Sequence, residues 1–110
     1  MDPRVIYITC SSQDEAQTIA KALLTQRLIA CANIFPGIQS MYWWNDEIQN
    51  ETEVAMIAKT TDDLVPQVIA ATKSLHSYDC PCIVSLPITD GNPEFLKWIN
   101  TETHTITNPR

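Results

Sequence analysis

The chain has 110 residues and a mass of 12.4 kDa, enough for one domain with its own core and too little for two. Apolar residues make up 45% and charged residues 18%, a globular composition, and seven bases against thirteen acids leave a net charge of −6, which excludes a nucleic-acid partner because binding phosphates needs clustered Lys and Arg. The two glycines, Gly37 and Gly91, cannot write a GxGxxG fingerprint or a Walker loop, and no apolar run nears the roughly 20 residues that span a bilayer, so no membrane partner is expected.

Arg4 to Cys10 is β-branched and apolar and predicts strand 1. Ser12 stands three residues before Glu15, a capping box, and Ala16, Ile19, Ala20, Leu23 and Leu24 form the apolar stripe of a helix ending near Arg27. Ala30 to Phe35 predicts strand 2. Pro36-Gly37 makes a turn or bulge, and Gln39 to Trp44 continues extended to a turn at Asn45-Asp46-Glu47. Ile48 to Thr60 predicts a long strand 3, with Val54, Met56 and Ala58 on one face and Ala55, Ile57 and Lys59 on the other. Thr61-Asp62-Asp63 caps a second helix with Pro66 in its first turn and Val65, Ile69, Thr72 and Leu75 in its buried stripe. Pro81 to Ile88 predicts strand 4, Pro93 to Asn100 a short helix, and the last ten residues are Thr-rich without a period.

The order βαββαβ plus a short helix predicts a ferredoxin-like α+β sandwich over residues 1–110, with antiparallel sheet order 4-1-3-2. Two helices cover one sheet face only. Yet strand 1 offers Val5 and Tyr7 on one side and Ile6, Ile8 and Cys10 on the other, and the hairpin arm offers Met41 and Trp43 against Tyr42 and Trp44. An uncovered apolar face of this size predicts burial against further copies of the chain; a short helix and tail folding back over it is the alternative.

Topology gathers chemistry at one end of the sheet. Strand 1 ends at Cys10, antiparallel strand 4 begins at Cys80-Pro81-Cys82, and helix 2 delivers His76 to the same end, while Cys31 belongs at the other. Cys10, His76, Cys82 and Cys80 are a soft ligand set suited to Cu(I) or Zn(II); the competing reading makes Cys10 and Cys82 core residues and His76 a helix C-terminal cation. A Cys–His nucleophile lacks an orienting third residue or an oxyanion loop, so no enzyme is expected. His104 stands in the polar tail and reads as solvated. Asp46, Glu47, Glu51 and Glu53 line the hairpin, and Glu53 and Lys59 alternate with apolar residues on a central strand, each read as half of an ion pair. Tyr42-Trp43-Trp44 could stack a ligand or anchor a subunit interface. Met1-Asp2-Pro3-Arg4 runs straight into strand 1 without a signal-peptide pattern, and four cysteines read as thiols in a reducing cytoplasm.

At these residues the chain resembles the CutA family of divalent-cation tolerance proteins. Ala30-Cys31-Ala32-Asn33-Ile34 with Pro36-Gly37 is similar to the family's ACxNIxPG, and Ser40 to Trp44 to its SxYWW. Glu53-Val54 with Lys59-Thr60, His76 to Ile83, and Gly91-Asn92-Pro93 through Trp98-Ile99 resemble three further family segments in the same order. The resemblance implies a homotrimer in the cytoplasm, linked to tolerance of copper or another divalent metal and without enzyme activity. It implies metal contacts at Cys10 and His76, with Cys82 standing where the family carries a carboxylate. The rival expectation is a trimeric sensor similar to the PII proteins, whose small ligand would meet Lys59, Tyr78 and the Trp43-Trp44 arm in the cleft between subunits; Trp98, like Glu53, joins the cleft or interface candidates.

Overall fold

Alternation of apolar side chains builds the sheet first. In the computed structural model, which describes residues 1–103, β1 (Pro3–Cys10) turns Ile6, Ile8 and Cys10 inward, each with no exposed surface, and leaves Val5, Tyr7 and Thr9 half-buried on the opposite face. His104 and the Thr-rich tail lie outside the described residues. β1 pairs antiparallel with both β3 (Glu47–Thr61) and β4 (Ile83–Pro87), and β2 (Cys31–Trp44) completes the order β2-β3-β1-β4. This is the expected 4-1-3-2 sheet of a ferredoxin-like α+β fold, read from the other edge.

The helices follow their caps. Ser12 Oγ accepts the Glu15 N–H at 3.1 Å and opens α1 (Gln13–Thr25), whose Ala16, Ile19, Ala20 and Leu23 are buried on the sheet. The reciprocal arm of the capping box lands one residue upstream, with the Ser11 N–H donating to Glu15 Oε1 at 2.9 Å. A 3₁₀ turn at Asp62–Leu64 precedes α2 (Val65–Leu75), so Thr61-Asp62-Asp63 feeds that turn and not the helix itself. The buried stripe of α2 is Val68 and Thr72, with Val65 partly covered; Leu75 is exposed. Thr72 keeps its expected place in the stripe, and Val68 stands in it where Ile69 and Leu75 were expected.

Two irregularities shape the β2–β3 arm. Pro36 has no N–H to give a ladder, and Gly37 takes φ +76°, so the register slips between Phe35 and Ile38 in a bulge. The arm closes on a two-residue turn, Asn45 and Asp46, both at positive φ, which these side chains tolerate and which matches strand twist. Glu47 already belongs to β3. β4 starts at Ile83 rather than Pro81, because Pro81 cannot donate a ladder hydrogen bond; Cys80, Pro81 and Cys82 form the loop leading into it.

Helix α3 (Pro93–Glu102) packs against β1 and β3. Asn92 caps it, Asn100 Nδ2 donates to the Met1 carbonyl, and Arg27 meets Glu102 at 2.9 Å. It leaves much of the second sheet face open, with Val84 and Leu86 on β4 and Phe35 on β2 exposed; Met41, Trp43 and Ile48, which the register puts on the other face of the arm, are exposed as well.

Candidate functional site

Three elements converge beyond the end of β1. Cys10 is its last residue, Glu15 lies in the first turn of α1, and His76 follows α2 directly. Their donor atoms, Sγ, a carboxylate oxygen and a ring nitrogen, all lie within 4.8 Å of one another. Sequence reading singled out Glu15 as a helix-capping residue and not as a member of the site. Its signal was present, since a capping-box carboxylate five residues after Cys10 must reach back toward the strand it follows.

His76 and Glu15 are both hydrogen-bonded within the protein. His76 Nε2 sits 2.8 Å from the Thr9 carbonyl oxygen and therefore carries the proton, while Nδ1 accepts the Tyr78 N–H at 3.1 Å. Glu15 Oε1 accepts from the Ser11 N–H and Oγ, both at 2.9 Å, and Oε2 accepts the Ser77 N–H at 2.7 Å, 3.9 Å from His76 Nδ1. Partial burial pushes the Glu15 carboxyl up, but the hydrogen bonds from Ser11 and Ser77 more than reverse it and hold it down at about 2. Burial, followed by the charges of Glu15 and Glu53, pushes the Cys10 thiol up to about 11. The donor types and spacing suit a soft metal ion. Holding one needs Cys10 to lose its proton and a ring nitrogen of His76 to exchange its backbone partner for the ion.

Cys82 and Cys80 stand on the other side of the sheet. Both are exposed and line a cleft of about 690 Å³ together with Thr9, Tyr42, Trp44, Glu51, Glu53, Tyr78 and Asp79. Burial pushes the Cys82 thiol up, with a Thr9 hydrogen bond opposing and the Glu53 charge adding. The four donors expected together therefore split: Cys10 and His76 under the helices, Cys80 and Cys82 in the cleft. Cys31 pairs with Lys59, which pairs with Val5, five residues back along β1 from Cys10 and about 17 Å away at strand spacing.

The cleft is built on hydroxyl–carboxylate contacts. Tyr78 OH donates to Glu53 Oε2 at 2.7 Å and Tyr42 OH donates to Glu51. The Glu51 hydrogen bond, partial desolvation and the charges of Glu51 and Glu53 push the Tyr42 phenol up to about 12; burial and then the Glu53 hydrogen bond raise Tyr78 as well. Glu53 and Lys59 are not in ion pairs among the described residues. Glu53 has the Tyr78 hydroxyl, and Lys59 Nζ donates to Asn33 Oδ1 at 3.0 Å. Lys59 and Trp43 stand outside the cleft lining, and Trp98 stacks with Phe95 on α3 at 5.4 Å.

Fold and site together define a small ferredoxin-like protein with a Cys–Glu–His group at one end of its sheet and an acidic, aromatic cleft on the opposite face. Residues 4–102 match the family model described as CutA1 divalent ion tolerance protein. The divalent-cation tolerance protein CutA of Archaeoglobus fulgidus is 50% identical over 95 residues, covering 86% of this chain and 92% of that protein. That of Thermus thermophilus is 44% identical over 99 residues, covering 90% and 96%. Among solved structures, CutA1 from Oryza sativa superposes with a TM-score of 0.92 at 33% identity, covering 96% of each chain. The Thermus thermophilus protein gives 0.90 at 43% identity, covering 93% of this chain and 99% of that one. The chain belongs to the CutA divalent-cation tolerance family. Relatives in this family are named as tolerance proteins and not as enzymes. One structural relative is described as periplasmic and two sequence relatives as chloroplastic, so membership alone does not set the compartment. No helix among the described residues is long and apolar enough to cross a membrane.

Proposed function

We propose that this protein is a cytoplasmic homotrimer that confers metal tolerance by holding soft ions, copper foremost, through Cys10 and His76 with Glu15 beside them and the Cys80 and Cys82 thiols across the strand. The observation carrying this reading is the approach of three donor atoms to within 4.8 Å of one another. Thiolate and imidazole favour Cu(I), which accepts few and soft ligands. Both donors shed protons to bind, so affinity falls as pH drops. Self-association is supported by the open sheet face and by Trp43, 71% exposed at the tip of the arm, a surface that a lone subunit leaves in water. The cytoplasmic assignment rests on four free thiols.

Competition for Cu(I) against a chelator, across the parent and the Cys10→Ser, Cys82→Ser and Cys31→Ser variants, tests the site. Weakening by Cys10→Ser and none by Cys31→Ser is expected. If Cys31→Ser weakens binding as much, or if neither Cys10 nor Cys82 matters, the thiols are packing residues. A folded species of one-chain mass by sedimentation at micromolar concentration removes the trimer.

A second reading has its own support. The cleft carries Tyr42, Trp44, Glu51, Glu53 and Tyr78 in one chain, a lining suited to a small ligand and hence to a sensor role.

A further inference from the structure

We infer that the segment after α2 is a strap over the Cys10–Glu15–His76 group, and that lifting it presents His76 Nδ1, not Nε2, to a metal ion. The inference rests on the metal reading of this group and adds the binding atom and the route to it. The imidazole is held in one neutral tautomer. A carbonyl oxygen only accepts, so Nε2, 2.8 Å from the Thr9 carbonyl, carries the proton. The Tyr78 N–H donates to Nδ1 at 3.1 Å, so Nδ1 is bare and holds the lone pair that a metal uses. A metal-ligating imidazole donates its other N–H to a carbonyl, a carboxylate or water. The Thr9 carbonyl gives His76 that anchor before any ion arrives. Binding through Nε2 breaks the anchor, whereas binding through Nδ1 costs only the Tyr78 N–H.

One segment covers both acceptors. The Ser77 N–H donates to Glu15 Oε2 at 2.7 Å, and the next N–H along the chain, that of Tyr78, donates to His76 Nδ1. Two consecutive peptide groups therefore cap two atoms that lie 3.9 Å apart. Cys10 and the His76 side chain have no exposed surface, and the Glu15 side chain is 12% exposed, so the group is shut from water with the segment in place. Residues 76–82 belong to no helix or strand, so moving Ser77 and Tyr78 breaks no ladder and no helical turn. Besides the two N–H bonds, three contacts hold them. The Tyr78 hydroxyl donates to Glu53 at 2.7 Å, the Tyr78 ring lies 4.7 Å from that of His76, and the Ser11 and Ser77 hydroxyls are 3.5 Å apart. One displacement thus uncovers a carboxylate oxygen and a ring nitrogen together, beside Cys10 Sγ. The opening needed is that of one ion, with α2 and β4 staying where they are.

The test uses the full chain carrying Cys80→Ser, Cys82→Ser and His104→Gln, which leaves Cys10 and Cys31 as its thiols and His76 as its imidazole. Nitrogen resonances of isotope-labelled histidine are recorded before and after Cu(I) is added without oxygen. The Nδ1 signal is expected to move while Nε2 keeps its proton. The Tyr78 amide, protected from hydrogen exchange in the metal-free protein, is expected to lose that protection on loading. Loss of the Nε2 proton with Nδ1 unmoved overturns this inference and leaves the metal reading standing. Movement of neither nitrogen removes His76 from the site, and the metal reading falls together with the inference. A Tyr78 amide that stays protected on loading overturns the strap. Ser77→Pro deletes one of the two N–H donors behind a residue that already suits a following proline, since His76 stands at φ −81° and ψ 144°. Losing one hydrogen bond to a carboxylate should speed Cu(I) uptake about tenfold or more, read from the thiolate–copper absorption. Unchanged uptake in a folded variant overturns the strap; should Ser77→Pro not fold, the Tyr78 amide still decides.

Discussion

Replacing Glu15 by Gln separates a carboxylate held by its surroundings from one that merely lies near Cys10. Its two oxygens accept the Ser11 N–H and hydroxyl at 2.9 Å and the Ser77 N–H at 2.7 Å, tying the start of α1 to the segment after α2. A glutamine keeps one acceptor oxygen and turns an NH₂ group against one of these donors. The carboxyl is lowered from 4.5 to about 2, and at about 1.4 kcal/mol per unit this sets a ceiling near 3 kcal/mol. The side chain is 12% exposed, and with screening the expected loss is about 2 kcal/mol at neutral pH. The folded-state value lies below the unfolded one, so the folded protein binds fewer protons. Stability from Glu15 is therefore complete above pH 4.5 and lost as pH falls from there through about 2. Guanidinium unfolding of metal-free parent and Glu15→Gln, at one protein concentration, should show a gap of about 2 kcal/mol at pH 7 that shrinks below ~0.5 kcal/mol at pH 2. A gap of the same size at both pH values, or none at pH 7, refutes the reasoning.

Three further outcomes are expected. An aromatic disulfide reagent should modify the exposed Cys80 and Cys82 quickly and Cys10 only on unfolding, since Cys10 has no exposed surface and its thiol is held up at about 11; equal rates for Cys10 and Cys80 would contradict this. Trp43→Ala should shift the sedimenting species from three chains toward one and cost more than ~2 kcal/mol of assembly energy, while leaving the far-ultraviolet circular dichroism of the subunit in place. Ser12→Ala should lower stability by about 1 kcal/mol through loss of the α1 cap, measured at the same denaturant and protein concentrations; a neutral result removes the cap from the account.

Much of the fold is legible because single residues carry it. Strand 1 is a run of β-branched and apolar residues, Ser12 and Glu15 announce α1, and Pro36-Gly37 announces the bulge. The errors sit where tertiary context outweighs local preference. The 3₁₀ turn at Asp62–Leu64 absorbs three residues before α2, and of the stripe read from sequence Thr72 is buried while Val68 takes the place given to Ile69 and Leu75. Pro81 and Cys82 have strand-like neighbours but no paired partner, so β4 begins at Ile83.

The division of the donors follows from strand parity, which needs a register that sequence alone does not supply. Ile8 pairs with Ile83, so these two side chains share a face. Cys10 lies two residues beyond Ile8 and keeps that face, under α1 and α2. Cys82 lies one residue before Ile83 and takes the other, beside Thr9 in the cleft. Antiparallel order alone brings Cys10 and Cys82 to the same end of the sheet; a shift of one residue would bring them to the same side. The protein thus holds two chemically different places back to back across one strand end. One is a group of Cys10, Glu15 and His76 under the helices, with Glu15 and His76 hydrogen-bonded to backbone around them. The other is an open acidic cleft with two accessible thiols. The His76–Thr9 and Cys82–Thr9 contacts meet at the same β1 residue, one on its carbonyl and one on its side chain.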